Sequence, residues 1–158
     1  MITIQKSQTA DTRTCDFANV SKKTLLDSSV RHIADVRRAL AFFQAEIGEA
    51  ATRHDEDKLT DIDGFHADFV TGFEVTTWWD RHRRLNRHHL FQPDGVPAGV
   101  NLIDVLDLIA DCVMAGMGRS GTVTPLVIDP AVLMRAFENT VEMLKREVVV
   151  AETTEEEG

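Results

Sequence analysis

The sequence predicts an all-α fold, a helical bundle of about five to seven helices. Apolar residues recur at three- and four-residue steps through several segments, which is the spacing of one helix face. The β-branched runs, Ile2–Ile4 and Val123–Ile128, are too short to found a sheet. Pro and Gly cluster between the periodic segments, above all in Gln92–Val100, which is therefore predicted to be a loop.

The first predicted helix is the longest, with about five turns. Ser28 or Ser29 can cap its N-terminus, and Gly48 weakens its far end. A second short helix is predicted over 52–58, and a turn over 61–64. The apolar positions of the first helix are Val30, Ile33, Val36, Leu40, Phe43 and Ile47.

Four further signals place the remaining helices. The four-residue spacing of the phenylalanines indicates a third helix, and Thr76 or Thr77 can cap a fourth. Asn101 caps a strong helix that Gly116, Gly118 and Gly121 end, and Asp129-Pro130 opens a last helix that runs through Val148. The aromatic residues of the third and fourth helices are most simply core: Phe65, Phe69, Phe73, Trp78 and Trp79.

The length and charge pattern favour a single domain with polar ends. Residues 1–20 are interpreted as a loose arm, 21–149 as one domain, and 150–158 as an acidic disordered tail. The two cysteines, Cys15 and Cys112, lack the spacing of a disulfide scaffold or a thiolate zinc site. We therefore expect a reducing, cytoplasmic setting.

Composition excludes several partners. The chain carries 17 basic and 26 acidic residues, a formal net charge of −9, so general duplex nucleic-acid binding is not expected. No stretch is long and apolar enough for a membrane span. Homo-oligomerisation is left open.

A histidine-aspartate pair stands out among the ionisable residues. His54-Asp55 is followed by Lys58, preceded by His32 on the long helix, and joined downstream by Asp111 in an apolar stretch. A carboxylate in such surroundings needs a cation or strong hydrogen bonds to offset its desolvation, although a structural pairing with an arginine is an alternative. The order of these residues is typical of a metal site.

Three more histidines extend the set. His82 and His89 are seven residues apart and share a helix face if the helix continues, and His88 is adjacent. Imidazoles with carboxylates suit Mn, Fe, Co, Ni or Zn. The set is large enough for one ion, or for two that Asp55 would bridge. His66 has no place in this pattern and is interpreted as a surface residue.

The pattern H…HD…D resembles the HD-domain superfamily of metal-dependent phosphohydrolases, an all-helical fold. The segments His54–Lys58 (HDEDK), Trp78–His89 (WWDRHRRLNRHH) and Leu106–Val113 (LDLIADCV) are most similar to a small phage and bacterial HD-like family. The resemblance covers about residues 30–118. It departs at Asp57, where a small residue is usual, and at Asp107, where Glu is usual.

The resemblance implies a ligand set and roles. His32, His54, Asp55 and Asp111 would hold a first metal, and a second would take Asp55 together with His82, His88 and His89. Adjacent helical side chains point about 100° apart, so one of His88 and His89 could instead bind phosphate. Asp55 and Lys58 would carry the catalysis, with Lys58 offering a cation to a phosphate oxygen.

Nearby charges favour an anionic substrate. The segment 80–89 has four arginines against Asp80, and we assign substrate binding to Arg84, Arg87 and Arg119, with a solvated helix face as the alternative for each. Asp104 or Asp107 could orient a ligating histidine, or simply be exposed.

The sequence thus predicts a metal-dependent phosphohydrolase for a nucleotide or nucleotide-like phosphate ester, a nucleotidase or phosphodiesterase. Monoester, diester and triphosphate substrates stay open. One alternative is a binding module of the same fold without turnover, for a nucleotide or a protein. Another is a structural bundle in which the histidine cluster is incidental.

Overall fold

The computed structural model of the protein describes residues 1–6, 17–75 and 77–151. Within these ranges the chain is mostly helical, with six helices and two short strands, which confirms the predicted class. No helix among the described residues is long and apolar enough to cross a membrane. The elements in order are β1 (Ile2–Gln5), α1 (Lys22–Arg53), α2 (Glu56–Thr60), α3 (Ile62–Phe69), α4 (Trp78–Leu85), α5 (Leu102–Ser120), α6 (Pro130–Glu147) and β2 (Val148–Ala151).

The chain divides into two compact units. The first combines Met1–Ala45 with Glu142–Gly158, and the second is Glu46–Val141. Their boundaries fall inside α1 and α6, where the sequence pattern marks no boundary. The predictions of a loose arm and of a disordered tail fall largely on residues 7–16 and 152–158, outside the described residues.

The first unit contains a sheet that the sequence analysis excluded. Strands β1 and β2 pair in parallel, with Ile2 opposite Val148, so the expectation that Ile2–Ile4 is too short to found a sheet was wrong. Two further contacts, which the sequence alone does not show, stabilise this strand pair. The terminal amine of Met1 lies 2.9 Å from a Glu147 carboxylate oxygen, and Arg38 donates to the Thr3 carbonyl at 3.0 Å.

Helix α1 is longer than predicted at both ends. It begins at Lys22 instead of Ser28, where the Ser21 hydroxyl accepts a hydrogen bond from the Thr24 N–H at 3.0 Å. It also continues through Gly48 to Arg53. A glycine inside a helix costs only about 1 kcal/mol relative to alanine, which does not end a helix of this length.

The next two helices are displaced from their predicted positions. The short helix expected over 52–58 begins only at Glu56, because α1 continues to Arg53 and two non-helical residues follow it. Only Asp61 of the predicted turn over 61–64 lies outside a helix, and its side chain caps α3 by accepting from the Gly64 N–H at 3.2 Å. Phe73 lies beyond α3, in the left-handed region with φ 67°.

The later helices largely follow the sequence signals. Asn101 forms a reciprocal capping box with Asp104, and α5 ends before Gly121, which has the left-handed φ of 71°. Gly116 and Gly118 lie inside the helix instead of ending it. Helix α6 starts at Pro130 as expected but stops at Glu147, one residue short of Val148, because the chain there enters β2.

The core of the second unit joins α5, α6 and the segment before α5. Its buried apolar residues are Leu90, Val100, Val105, Val132 and Ala136. The Thr140 hydroxyl of α6 accepts from the Leu102 N–H at 2.8 Å, and the Asn139 amide donates to the Val100 carbonyl at 2.7 Å. These bonds satisfy backbone groups at the start of α5.

The capping box gives a direct test of how α5 is stabilised. Asn101→Ala removes the acceptor for the Ile103 and Asp104 N–H groups, so we expect the free energy of unfolding to fall by about 1 kcal/mol. Urea denaturation followed by circular dichroism measures the change. Gln44→Ala, at an exposed position inside α1, is the control and should change stability by less than about 0.5 kcal/mol. Equal effects of the two substitutions would contradict the capping role.

Candidate metal centre

The His54-Asp55 pair occupies the break between α1 and α2. Helix α1 ends at Arg53 and α2 begins at Glu56, and Asp55 adopts the left-handed φ of 55°. Few residues other than Gly, Asn and Asp adopt this conformation without strain. The Asp55 N–H donates to the Asn86 side-chain oxygen at 3.0 Å, so a residue just after α4 holds the break.

Four imidazoles surround the Asp55 carboxylate. His54 comes from the end of α1 and His82 from α4, while His88 and His89 lie in the turn that follows α4. The Asp55 Oδ1 atom lies 3.3 Å from His82 Nε2 and 3.6 Å from His88 Nε2, and Oδ2 lies 3.6 Å from His54 Nε2. Three separate segments of the second unit therefore converge on one carboxylate.

The ligand atoms fall into two groups that share Asp55. His54, Asp55 and His88 form one group, and Asp55, His82 and His89 form the other. Within each group the nitrogen and oxygen atoms lie within 4.8 Å of one another, and the Nε2 atoms of His82 and His89 are 2.9 Å apart. Either group could hold a metal ion.

Buried polar atoms in the cluster fit a cation. Asp55 Oδ1 and both ring nitrogens of His88 are buried and make no hydrogen bond in the described part of the chain. His88 is only 1% exposed. Leaving a buried polar group unpaired costs about 1–3 kcal/mol. A divalent metal with imidazole and carboxylate ligands would satisfy Asp55 Oδ1 and His88 Nε2, and the donor set suits a transition metal.

The environment keeps the two histidines after α4 neutral. Burial lowers the pKa of His88, against the opposing effect of Asp107. Burial, followed by the neighbouring imidazoles of His88 and His82, lowers the pKa of His89 to about 3. Both rings are therefore neutral near pH 7, which is the form that binds metal.

Asp55 stays ionised although it is partly buried. Burial raises the pKa of this carboxyl, but the hydrogen bond and charge of Lys58, with His54 and His82, bring the pKa below its ordinary value. The Lys58 ammonium donates to Asp55 Oδ2 and lies 5.7 Å from the centre of the Phe65 ring. The carboxylate that the two groups share is thus negatively charged at neutral pH.

Two aspartates contact the histidines at their other ring nitrogen. Asp107 Oδ1 lies 2.8 Å from His54 Nδ1, and both oxygens of Asp57 lie 3.0 Å from His82 Nδ1. Such contacts fix the orientation and the tautomer of a ligating imidazole. For Asp107 this matches the orienting role that the sequence analysis left open.

Aromatic side chains fix the plane of the His82 ring. The Trp78 and Trp79 rings are nearly parallel to it, at centroid distances of 5.0 Å and 4.9 Å. His82 is fully buried and Trp78 is 5% exposed. The tryptophans expected to be core residues therefore pack directly on a candidate ligand.

The structure brings together most of the predicted ligands, with a different partition. His88 belongs with His54 instead of with His82, and both His88 and His89 face Asp55 because α4 ends at Leu85 and the chain turns. Asp111 lies beside the first group, with Oδ1 3.9 Å from His54 Nε2. Neither group contains His32, which is exposed on α1 about six helical turns before its end.

The arginines assigned to substrate differ in their surroundings. The Arg84 Nε donates to Asp94 at 2.9 Å, and Arg87 makes two bonds to Asp104, at 2.8 Å and 2.7 Å. Arg119 lies exposed in the last turn of α5, without a hydrogen bond or ion pair to the described residues. Substrate binding by these arginines stays a prediction.

Sequence reasoning missed two residues of the cluster. Asp57 was noted only as a departure from a family pattern, and Asn86 was given no role. Asn86 donates to Asp57 Oδ1 at 2.9 Å and accepts from the Asp55 N–H. The i,i+4 spacing of His82 and Asn86 was the available signal, but it did not show that the chain turns after Leu85.

Two cavities adjoin the cluster. One, of about 120 Å³, is lined by polar residues that include His54, Asn86, His88 and Asp107. The other, of about 430 Å³, is a groove between the end of α1 and one face of α5. Its lining is Ala51, His54, Asp107, Ala110, Asp111, Met114 and Ala115. Only the groove is large enough for a nucleoside-sized group.

Comparisons with known proteins add no relative. No family model, no curated protein and no solved structure matches the chain.

Metal binding is the first test of this centre. We expect the purified full chain to bind Mn²⁺, Co²⁺ or Zn²⁺, and the double variant His54→Ala/Asp55→Ala to bind at least about 100-fold more weakly, because it lacks the shared carboxylate. Isothermal titration calorimetry measures the affinity. His66→Ala/Asp63→Ala, which changes the same residue types at exposed positions in α3, is the matched control and should bind as the unmodified chain does. Similar binding by both double variants would contradict this assignment.

Proposed function

We propose that the protein is a metal-dependent phosphohydrolase of the HD-domain type that cleaves a phosphate ester of a nucleotide or nucleotide-like small molecule. The observation that carries the proposal is the partly buried Asp55 carboxylate shared by two histidine groups. The order of His32, His54-Asp55 and Asp111, which resembles the HD superfamily, supports it from the sequence, although His32 lies outside both groups.

The reaction is the addition of water across a phosphorus–oxygen ester bond. The water oxygen joins phosphorus, the ester bond breaks, and the ester oxygen leaves with a proton as an alcohol. Divalent transition metals, when bound, supply Lewis acidity and activate water for such a displacement. His54 and His88 would hold one ion and His82 and His89 the other, with Asp55 common to both.

Lys58 is the cation that the chain itself brings to the cluster. Its ammonium is bonded to Asp55 and is partly buried, with 30% of the side chain exposed. In this position it can donate a hydrogen bond to a phosphate oxygen next to the shared carboxylate. Preorganised charge of this kind stabilises the negative charge that develops on phosphoryl oxygens.

The groove along α5 would accept the organic part of the substrate. Asp107 and Asp111 supply its negative charge, and among the described residues no Lys or Arg lines it. A phosphate in the groove would therefore be repelled, whereas an uncharged group could pack on Ala110, Met114 and Ala115. Asp111, with 34% of its side chain exposed, could accept a hydrogen bond from a hydroxyl or amino group there.

Arg119 is the best placed of the three arginines to meet a further anionic group. Its guanidinium is exposed in the last turn of α5, the helix whose face lines the groove. Arg84 and Arg87 would have to give up Asp94 and Asp104 before binding phosphate. Arg119 is therefore the first of the three to substitute.

Hydrolysis by the metal-loaded protein tests the proposal. We expect phosphate or nucleotide release from at least one member of a panel of nucleoside mono-, di-, tri- and cyclic phosphates, with loss of turnover after chelation and recovery on adding metal. The variant His54→Ala/Asp55→Ala should lose at least about 1,000-fold in kcat/KM, and His66→Ala/Asp63→Ala should keep it. Metal bound without turnover of any panel member would favour a binding module. Full activity of the first variant would refute the assignment.

Lys58 can be tested separately from the metal ligands. We expect Lys58→Ala to lower kcat by about 10²–10³-fold, because it removes a charge at the reacting phosphate, with little change in metal stoichiometry. Steady-state kinetics and metal analysis on the same preparation measure the two effects. Lys23→Ala, on an exposed lysine of α1 that pairs with Asp27, is the control. A fall in bound metal parallel to the fall in kcat would instead give Lys58 a role in holding Asp55.

A further inference from the structure

The two histidine groups differ in what lies behind them. In each group the metal-facing atom of one histidine is Nε2, and the opposite nitrogen, Nδ1, contacts an aspartate. Asp107 makes this contact with His54, and Asp57 makes it with His82. The described residues place no shared carboxylate behind both groups, so each has its own orienting aspartate.

Asp57 determines which nitrogen of His82 is available. Both Asp57 oxygens lie 3.0 Å from His82 Nδ1, and a carboxylate only accepts hydrogen bonds, so the tautomer with its proton on Nδ1 satisfies this contact. The Asn86 amide nitrogen also lies 3.0 Å from Nδ1, but its two N–H groups have acceptors in Asp57 Oδ1 and the His82 carbonyl. The lone pair is therefore on Nε2, which lies 3.3 Å from Asp55 Oδ1 and 2.9 Å from His89 Nε2. Because His82 is fully buried, water cannot replace Asp57 in this role.

Asn86 connects Asp57 to the break in the chain at Asp55. Its amide nitrogen donates to Asp57 Oδ1 at 2.9 Å and to the His82 carbonyl at 3.1 Å. Its side-chain oxygen accepts from the Asp55 N–H at 3.0 Å. The side chain of Asn86 is therefore held by hydrogen bonds to Asp55, Asp57 and His82.

Asp107 acts on the other group. Its Oδ1 lies 2.8 Å from His54 Nδ1, and its Oδ2 lies 3.4 Å from His88 Nδ1. One carboxylate thus faces both histidines of the first group. No hydrogen bond or ion pair among the described residues joins Asp107 to His82 or His89.

We infer that Asp57 and Asp107 are positioning residues for two separate metal subsites, so that each ion can be weakened without the other. Asp57, held by Asn86, orients His82 for the subsite of His82 and His89. Asp107 orients His54 for the other subsite, and it faces His88 there without a hydrogen bond. The inference rests on the proposed metal centre but not on hydrolysis.

The test is a Co²⁺ titration of the full chain, followed by calorimetry and by the visible absorption of the bound ion. The unmodified chain should bind two equivalents. In Asp57→Asn, which keeps the shape and removes the charge, we expect one equivalent to weaken by about 10–100-fold and the other to stay within about threefold. Asp107→Asn should weaken the other equivalent, with a different change in the absorption spectrum, and Asp63→Asn on α3 is the matched control.

A second variant separates positioning from general stability. Asn86→Asp keeps the oxygen that accepts from Asp55 but loses the amide donor to Asp57, so it should weaken the same equivalent as Asp57→Asn. Asp57→Glu, which keeps a carboxylate, should bind that equivalent more tightly than Asp57→Asn does. Circular dichroism melting of each variant without metal shows whether the fold is retained. Equal weakening of both equivalents in folded Asp57→Asn, or no weakening of either, would overturn the inference.

Hydrolysis measured on the same samples separates this inference from the proposed function. Two bound equivalents with selective losses, but no turnover of any nucleotide, would overturn the phosphohydrolase and support the two subsites. Turnover together with a single bound equivalent in the unmodified chain would overturn the two subsites and support the phosphohydrolase. An unmodified chain that binds no metal would overturn both.

Discussion

The partly buried negative charge of Asp55 is the constraint on which the rest of the site depends. An ionised carboxylate away from water needs compensation, which the Lys58 ammonium supplies to Oδ2, while Oδ1 faces the imidazoles without a hydrogen bond. The interruption between α1 and α2 serves this arrangement, since Asp55 itself adopts the left-handed conformation there and faces the imidazoles. So does Asn86, whose side chain holds that residue in place.

The scaffold around the cluster is built to limit movement of the histidine rings. Two tryptophans stack on His82, two aspartates fix ring nitrogens, and the capping box at Asn101 starts the helix that carries Asp107 and Asp111. Each of these contacts restricts a rotamer before any ligand binds. Such preorganisation lowers the cost of bringing ligands to the geometry that a metal requires.

The fold was predictable from local signals wherever those signals acted alone. Asn101 caps α5 and Pro130 opens α6, because such signals need only neighbouring residues. Thr77 occupies the position before α4 but makes no side-chain capping hydrogen bond. Two of the errors have long-range causes. The strand Ile2–Gln5 exists because Val148–Ala151 pairs with it, and the second helix starts late because Asn86 stabilises a break 31 residues earlier.

By itself the sequence determined the helical class and the histidine-rich segment, and it singled out residues that the structure brings together: His54, Asp55, His82, His88, His89 and Asp111. It also singled out His32, which lies apart from them. The residue types and their order carry this information. The tertiary structure decided how the ligands divide into groups, because the turn after Leu85 swings His88 toward His54 and leaves His89 with His82. It also decided the contacts of Asp57 and Asn86 with the cluster, since hydrogen bonds between distant segments have no local signature. For the same reason only the structure shows that Arg84 pairs with Asp94 and Arg87 with Asp104.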